Sequence, residues 1–452
     1  MSSLNTFGAG GRKDRPRSHV DLSPKMHPAI LQKARLAASL TLPLLVTAAI
    51  RADDWPQWRG PNRDGVWNET GILESFPPDG FKVRWRAPVG WGYSSPVVAQ
   101  GRVYLTDSQL MRPKSEERVH CFDEATGKLL WTYSYDASYP DWAFTPNNEG
   151  RPTSTPIVNS GRVYTLGMLG QLHCLEASKG SVHWKKDLGK QYGQVWCNSS
   201  PLIEGDLLIL VVGGKPNACV VAFDKHSGKA AWNALDDTAT HSSPIAVTAG
   251  GKRQVIVWTN EAITSLDPAT GKTNWRKRLL TTADYVVSTP VFHDNLLLIG
   301  GLMLKLDPEK SDASVLWPNT KAVSRRILSH TSTALLQDDC VFSAKSSGEL
   351  VCLEAKTGKQ VWETGKATDL KNGASIHLTA NGDSVFLYTD KGELIRAQLT
   401  VKGYKEISRA RLLEPTFPFA GRKVAWPPPA YANRQVFARN DKELVCISLA
   451  NP

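Results

Sequence analysis

The sequence predicts an all-β protein: an eight-bladed β-propeller of four-stranded antiparallel blades, closed by an N-terminal strand that completes the last blade. Three observations carry this. Trp85, Trp131, Trp184, Trp232, Trp275, Trp317 and Trp362 follow one another at gaps of 46, 53, 48, 43, 42 and 45 residues. Five of them end a repeated phrase: FDEATGKLLW, LEASKGSVHW, FDKHSGKAAW, LDPATGKTNW and LEAKTGKQVW. First strands start near Ser95, Thr155, Ser200, Ser243, Thr289, Ser332, Ser375 and Pro428, which makes eight. A period of this length belongs to stacked or radial units that cannot bury their apolar faces alone.

One unit reads from Ser154 to Trp184. Residues 154–158 form a short apolar strand, 159–161 turn, and Arg162 to Leu166 form a β-branched and aromatic strand. Gly167 to Gly170 turn again, Gln171 to Glu176 alternate as a third strand, and Val182 to Lys186 follow the turn at Ser178-Lys179-Gly180. Four strands of this kind joined by tight turns make an up-and-down sheet. In the repeated turn an acidic side chain caps backbone N–H groups, and glycine tolerates the left-handed conformation. Asp123, Asp224, Asp267 and Asp307 recur there, so they read as hairpin caps rather than acids or bases.

The fourth strand of a blade is outermost, where neighbouring sheets splay apart. An indole fills that wedge and carries one N–H for the next backbone, so the seven tryptophans are assigned to blade docking. The last unit has strands near Val436–Arg439 and Leu444–Leu449, and the sequence then stops at Pro452 without a fourth. Phe81–Val89 carries Trp85 and has no sheet of its own. Completing the eighth blade with it closes the ring and removes its edges.

The A-x-T-G-K-x-x-W phrase resembles the tryptophan-docking repeat of the pyrroloquinoline-quinone (PQQ) type β-propellers, over about residues 81–449. That family includes quinoprotein alcohol dehydrogenases and the propeller lipoprotein of the outer-membrane barrel-assembly machinery. The segment Asp54–Gly65, with Gly92–Val98, resembles secreted propellers of this family from envelope-rich bacteria. A WD-repeat propeller would show Trp-Asp ends, and none of the fifteen tryptophans precedes an aspartate.

The expected organisation is an N-terminal extension and signal peptide over 1–52, a Trp-rich segment packing on the propeller over 53–80, and the propeller over 81–452. Lys33 and Arg35 precede an apolar run from Leu36 to Ile50, and Ala52 offers a cleavage point before Asp53. That pattern reads as a secretory leader, with Met26 as an alternative start. The mature chain is expected in the periplasm or outside the cell, monomeric and without a transmembrane span. Of the formal charge of +11, residues 53–452 keep 46 basic against 41 acidic residues. That balance, without a basic run, excludes a nucleic-acid partner. Cys121, Cys174, Cys352 and Cys446 share one register, a small apolar slot. Cys197, Cys219 and Cys340 stand outside it, and a bridge among these three is left open.

Function is expected at the mouth of the central channel, built by the loops that lead into the innermost strands. The candidate ligand-binding residues are Trp91, Tyr93, Trp142, Trp196, Asn198, His241, Arg325, Arg326, His330 and Trp426. Aromatics with a few polar groups suit a flat ligand, a sugar or an extended peptide. No catalytic residue and no metal site is assigned. The expectation is a non-catalytic binding or scaffold propeller of the cell envelope, without cofactor, serving a protein or polysaccharide partner. The alternatives are a PQQ- and calcium-dependent dehydrogenase, for which the blades leave little cofactor chamber, and a glycan-binding accessory protein. The resemblance describes a sheet motif, and a fold does not carry an activity with it.

Overall fold

The computed structural model describes residues 54–111, 114–144, 151–193, 195–279, 286–318 and 328–451. The leader assigned to 1–52 lies outside them. Eight four-stranded antiparallel sheets follow one another along the chain. Blade 1 is Val97–Ala99, Arg102–Met111, Lys114–Asp123 and Leu129–Asp136. Blade 2 is Ile157–Asn159, Arg162–Leu166, Gln171–Glu176 and Val182–Asp187. Blades 3 to 7 repeat the order, each strand pairing with the next in sequence.

Blade 8 is different in origin. Ala430–Ala432, Gln435–Arg439 and Glu443–Ser448 supply three strands, and Val83–Pro88 adds the fourth, with Trp85 opposite Cys446. The ring is therefore latched by residues from both ends of the propeller, and the last blade exposes no unpaired third strand.

In each of blades 1 to 7 the register between third and fourth strands slips, and in the blades ending on tryptophan it slips just ahead of that residue. In blade 1 Cys121 faces Trp131 while Phe122 faces Leu129, leaving Leu130 as the extra residue. Blade 2 does the same at Cys174 and Trp184. Such a bulge adds local twist and re-aims the side chain that follows. The indoles then lie on the next blade. Trp85 Nε1 donates to Glu124 O (2.8 Å), Trp131 to Ala177 O (3.1 Å), Trp184 to Lys225 O (3.2 Å) and Trp232 to Pro268 O (2.9 Å). Trp317 and Trp362 donate to Ala355 O and Thr400 O.

Each of the first four acceptors belongs to the turn that ends in Gly127, Gly180, Gly228 or Gly271. These glycines have φ near +70°, and a Cβ on any of them would run into the docked indole. Glycine is thus required twice, for the backbone and for the ring above it. Trp275 is the exception, and its reason is local. The blade 5 turn, Asp307–Asp312, has no glycine, and Trp275 Nε1 donates to Gln254 Oε1 of its own blade (3.0 Å).

Nearer the axis a second contact repeats. Ser95 N donates to Thr155 Oγ1, Thr155 N to Ser200 Oγ and Ser200 N to Ser243 Oγ, at 2.9–3.0 Å. Ser242 Oγ donates to Ser288 O, Thr289 N to Thr333 Oγ1, and Ile376 N to Ser332 Oγ. A belt of Ser/Thr hydroxyls thus ties blades 1 to 7 together where their first strands begin.

The segment Asp54–Trp67 lies inside the ring, along the channel. Trp55 exchanges backbone bonds with Val98, and Val158 N donates to Pro56 O, on the inner strands of blades 1 and 2. Trp58 Nε1 reaches Thr289 Oγ1 (2.8 Å) ahead of the inner strand of blade 5. Arg63 donates to the carbonyls of Pro201 and Ser200 ahead of that of blade 3. Ala380 of blade 7 bonds Gly65 O and Trp67 N. The three tryptophans are buried, Trp67 to 1% exposure. The segment expected to pack on the propeller therefore packs against it from within, on its inner strands.

Candidate functional site at the channel mouth

The loops that lead into the first strands, and the second-to-third strand turns, share one face of the disc. That face is irregular, and the structure gathers the candidate residues there into two groups. The first sits where blades 8, 1 and 2 meet. Trp91 pairs with Ser108 of blade 1, and Tyr93 N donates to Pro152 O (2.9 Å). Between them lies Arg151, whose guanidinium carbon is 4.6 Å from the Phe417 ring centre, 5.3 Å from Tyr93 and 5.7 Å from Trp91. Its Nη1 also meets Asp441 Oδ1 at 2.5 Å. Tyr93 meets Phe417 edge-on, and Trp426 meets Phe419 edge-on at 5.2 Å. A cation enclosed by aromatic faces with a carboxylate beside it is a satisfied cluster.

Phe417 and Phe419 belong to a two-stranded hairpin, Phe417–Phe419 with Arg422–Val424, inserted between blades 7 and 8. It covers part of the mouth, and the sequence reading missed it. Arg422 binds Asp390 Oδ2 (2.5 Å), and Thr416 binds Asp441. The signal that could have found it is the FPF triplet facing Arg-Lys-Val across Ala420-Gly421. Trp426 is held from beneath, because its carbonyl accepts from His377 Nε2 (2.8 Å). Burial pulls the His377 imidazole down to about 4, so the ring is neutral and donates through Nε2.

The second group lies on blades 3 to 6. Asn198 Nδ2 and His241 Nε2 are 3.0 Å apart, linking blades 3 and 4. His330 uses its carbonyl to accept Val287 N and Ser288 N, linking blades 5 and 6. Trp196, Asn198, His241 and His330 are half-buried. Trp142 falls in a single 3-10 turn, Asp141–Phe144, and Arg325 and Arg326 lie outside the described residues. A pocket between blades 5 and 6, lined by Ser288, Thr289, Ser329 and Ser332, has room for about one water molecule.

Beneath this face blade 1 carries two buried carboxylates. Asp107 accepts from Gly90 N and, at 2.8 Å, from both Nε and Nη2 of Arg118. With His120 Nε2 3.1 Å away as well, its carboxyl is held far below the usual range. Glu117 accepts from the hydroxyls of Tyr135 and Tyr139 and from Met168 N. Among the described residues no cation stands beside it, and burial pushes its carboxyl up. All seven cysteines are free and buried, so no bridge joins Cys197, Cys219 and Cys340.

A ring of eight such blades with indoles docked on the next blade's turn is a propeller of the PQQ type. Within that class, residues 115–302 and 305–403 match the family profile described as outer membrane protein assembly factor BamB. The match spans more than half of the chain, and the chain belongs to that family. The BamB of Shewanella oneidensis is 22% identical over 80% of this chain and 76% of its own length. The dehydrogenase subunit of a quinone alcohol dehydrogenase from Gluconacetobacter polyoxogenes is 27% identical, but over only 41% of this chain and 26% of its own length. Among solved structures, BamB from Moraxella catarrhalis superposes with a TM-score of 0.56 over 81% of this chain and 97% of its own, at 18% identity. Quinohemoprotein alcohol dehydrogenase from Comamonas testosteroni reaches 0.64 over 88% and 81%, at 13% identity. At such identities the superpositions establish the fold alone.

Proposed function

We propose that this protein is an exported, non-catalytic scaffold of the cell envelope, and that its irregular channel face holds a protein partner in outer-membrane protein assembly. One observation carries the reading: the chain fills its own channel. Trp58 and Arg63 occupy the axis, and the Arg151 cluster with its covering hairpin closes part of the mouth. The described residues do not fit a quinone with calcium. They offer no flat chamber on the axis and no group of three His, Cys, Asp or Glu side chains set to hold a metal. The relative that matches along most of its length is an assembly factor, which speaks for a protein partner. No observation speaks for a polysaccharide. Among the described residues no helix is long and apolar enough to cross a membrane.

The test has two arms. A photo-crosslinking amino acid at Trp196 or His330 should give adducts with an envelope protein, and one at Ala231 on an outer strand should not. Purified protein mixed with PQQ and calcium should neither gain the quinone absorbance nor reduce an artificial dye with alcohols. Dye reduction would sink the scaffold reading in favour of a dehydrogenase.

A further inference from the structure

We propose that the hairpin formed by residues 417–424 is an autoinhibitory strap. It opens as a unit while the ring stays closed, and when closed it seats its own Phe417 and Phe419 where aromatic side chains of an extended partner segment dock. The inference rests on the partner reading above for what displaces the strap, and on the hairpin's own geometry for its opening.

The hairpin belongs to no blade. Its two three-residue strands pair only with each other, and a two-stranded ladder is marginal by itself. Its turn is weak as well. Ala420 and Gly421 stand at φ of 47° and 78°, where hairpin loops favour Asn-Gly and a Cβ is strained. Side chains therefore hold it down. Phe417 lies over Arg151 and meets Tyr93 edge-on, with ring centres 5.4 Å apart. Phe419 meets Trp426 edge-on and rests on Gly373, where a Cβ would run into its ring. Arg422 reaches Asp390 Oδ2 and Asn372 O, and Thr416 reaches Asp441. The second strand alone is rooted, at Val424, which is buried, and at Ala425, whose N–H donates to Asp390 O (2.8 Å).

Opening strands no buried charge. Arg151 keeps Asp441 at 2.5 Å together with Trp91 and Tyr93. Asp390 keeps the Thr368 hydroxyl at 2.9 Å, and Arg422 leaves with the strap for water. What comes free is the half-buried surface of Trp91, Tyr93 and Trp426 with a guanidinium among them. Such a surface takes aromatic rings edge-on or over the cation. The strap itself gives the chemistry of the occupant: two rings at alternate positions of an extended strand, both turned to the same face.

The experiment uses the full chain as wild type, Phe419→Ala and Ala420→Asn. In hydrogen exchange read by mass spectrometry, wild-type residues 417–424 should exchange at least about a hundredfold faster than Gln435–Arg439. Phe419→Ala should speed the hairpin further. Ala420→Asn relieves the turn and should slow it several-fold, and neither change should alter Gln435–Arg439. The flat aromatic anion 8-anilinonaphthalene-1-sulfonate probes the uncovered surface. Its fluorescence should rise on Phe419→Ala and fall on Ala420→Asn relative to wild type. Hairpin amides that exchange in step with Gln435–Arg439, or dye binding equal in all three proteins, overturns the inference. An aromatic photo-crosslinking amino acid at Trp91 should give more envelope adduct in Phe419→Ala and less in Ala420→Asn, and equal yields overturn the autoinhibition. A hairpin that opens alone, with no adduct from Trp91, Trp196 or His330, overturns the protein-partner reading and leaves the opening of the strap standing.

Discussion

Six junctions between blades are alike, and the junction between blades 7 and 8 is not. From blade 1 to blade 7 each pair shares a hydroxyl bond near the axis, and most also share an outer indole. Between blades 7 and 8 both devices fail. Pro428 stands where a hydroxyl would, and Ser408, opposite Arg396 at the register slip, stands where a tryptophan would. The gap is filled by residues outside the repeat. Trp67 packs on Phe386 of blade 7 and Tyr431 of blade 8, with centroids 5.8 and 5.3 Å apart. Phe76 N donates to Ser408 Oγ, Arg396 donates to Leu73 O, and Leu73 N bonds Leu449 O. Repeats join by local, copied contacts, whereas closure of the ring draws on a segment that is not copied.

The largest effect should come from breaking the odd junction. Trp67→Ala removes a fully buried indole from both blades and should cost about 3–5 kcal/mol, read as a shift in the denaturant midpoint. Trp232→Ala, at an ordinary junction where the ring is half-buried, should cost about 2 kcal/mol. Equal losses would mean that the N-terminal segment is not what seals the ring. Next comes the glycine under a docked ring. Gly271→Ala forces a side chain into the left-handed region and against Trp232, and should cost about 1–3 kcal/mol. Gly251→Ala, also at positive φ but with open space around it, should cost less. If the two alanine variants unfold alike, the indole contact adds nothing to the backbone strain.

Smaller still is a single link of the belt. Ser200→Ala leaves the buried Thr155 N–H without its acceptor and should lower stability by about 1–2 kcal/mol. A mild pH shift should do least. The His173 imidazole is 3% exposed and pulled by burial from its ordinary 6.5 to about 4. Its contribution is present above the unfolded value and is lost as pH falls toward the folded one, because the unfolded chain takes up the proton first. Between pH 7 and 6 the loss should be about 0.5–1 kcal/mol. His173→Gln should flatten that slope in thermal melts, and His377 should add a loss of the same sign.

Blade count, strand order and the closing strand were legible in the sequence because each unit is specified by neighbours within about fifty residues. Arg162–Leu166 and Gln171–Glu176 run as read, and Asp123 and Asp224 cap their turns through bonds to Thr126 N and Ser227 N. The bulge ahead of each tryptophan was not legible, since Leu130, His183 and Ala231 share no residue type. Tyr93, Trp91 and Trp426 were read as open rim residues. The structure spends much of their surface on Arg151 and the inserted hairpin, whose partners lie hundreds of residues apart.

What the sequence determined by itself is the wheel: a periodic pattern of short strands, capped turns and outer indoles, each contact copied from the one before. What only the tertiary structure decided is the hub. The path of Asp54–Trp67 depends on five blades whose inner strands must first come together, and nothing periodic in that segment records where they will stand. Local chemistry repeats and can be read in order along the chain. Long-range filling of the channel is settled by shape and by buried donors finding acceptors, and these exist only once the ring has closed.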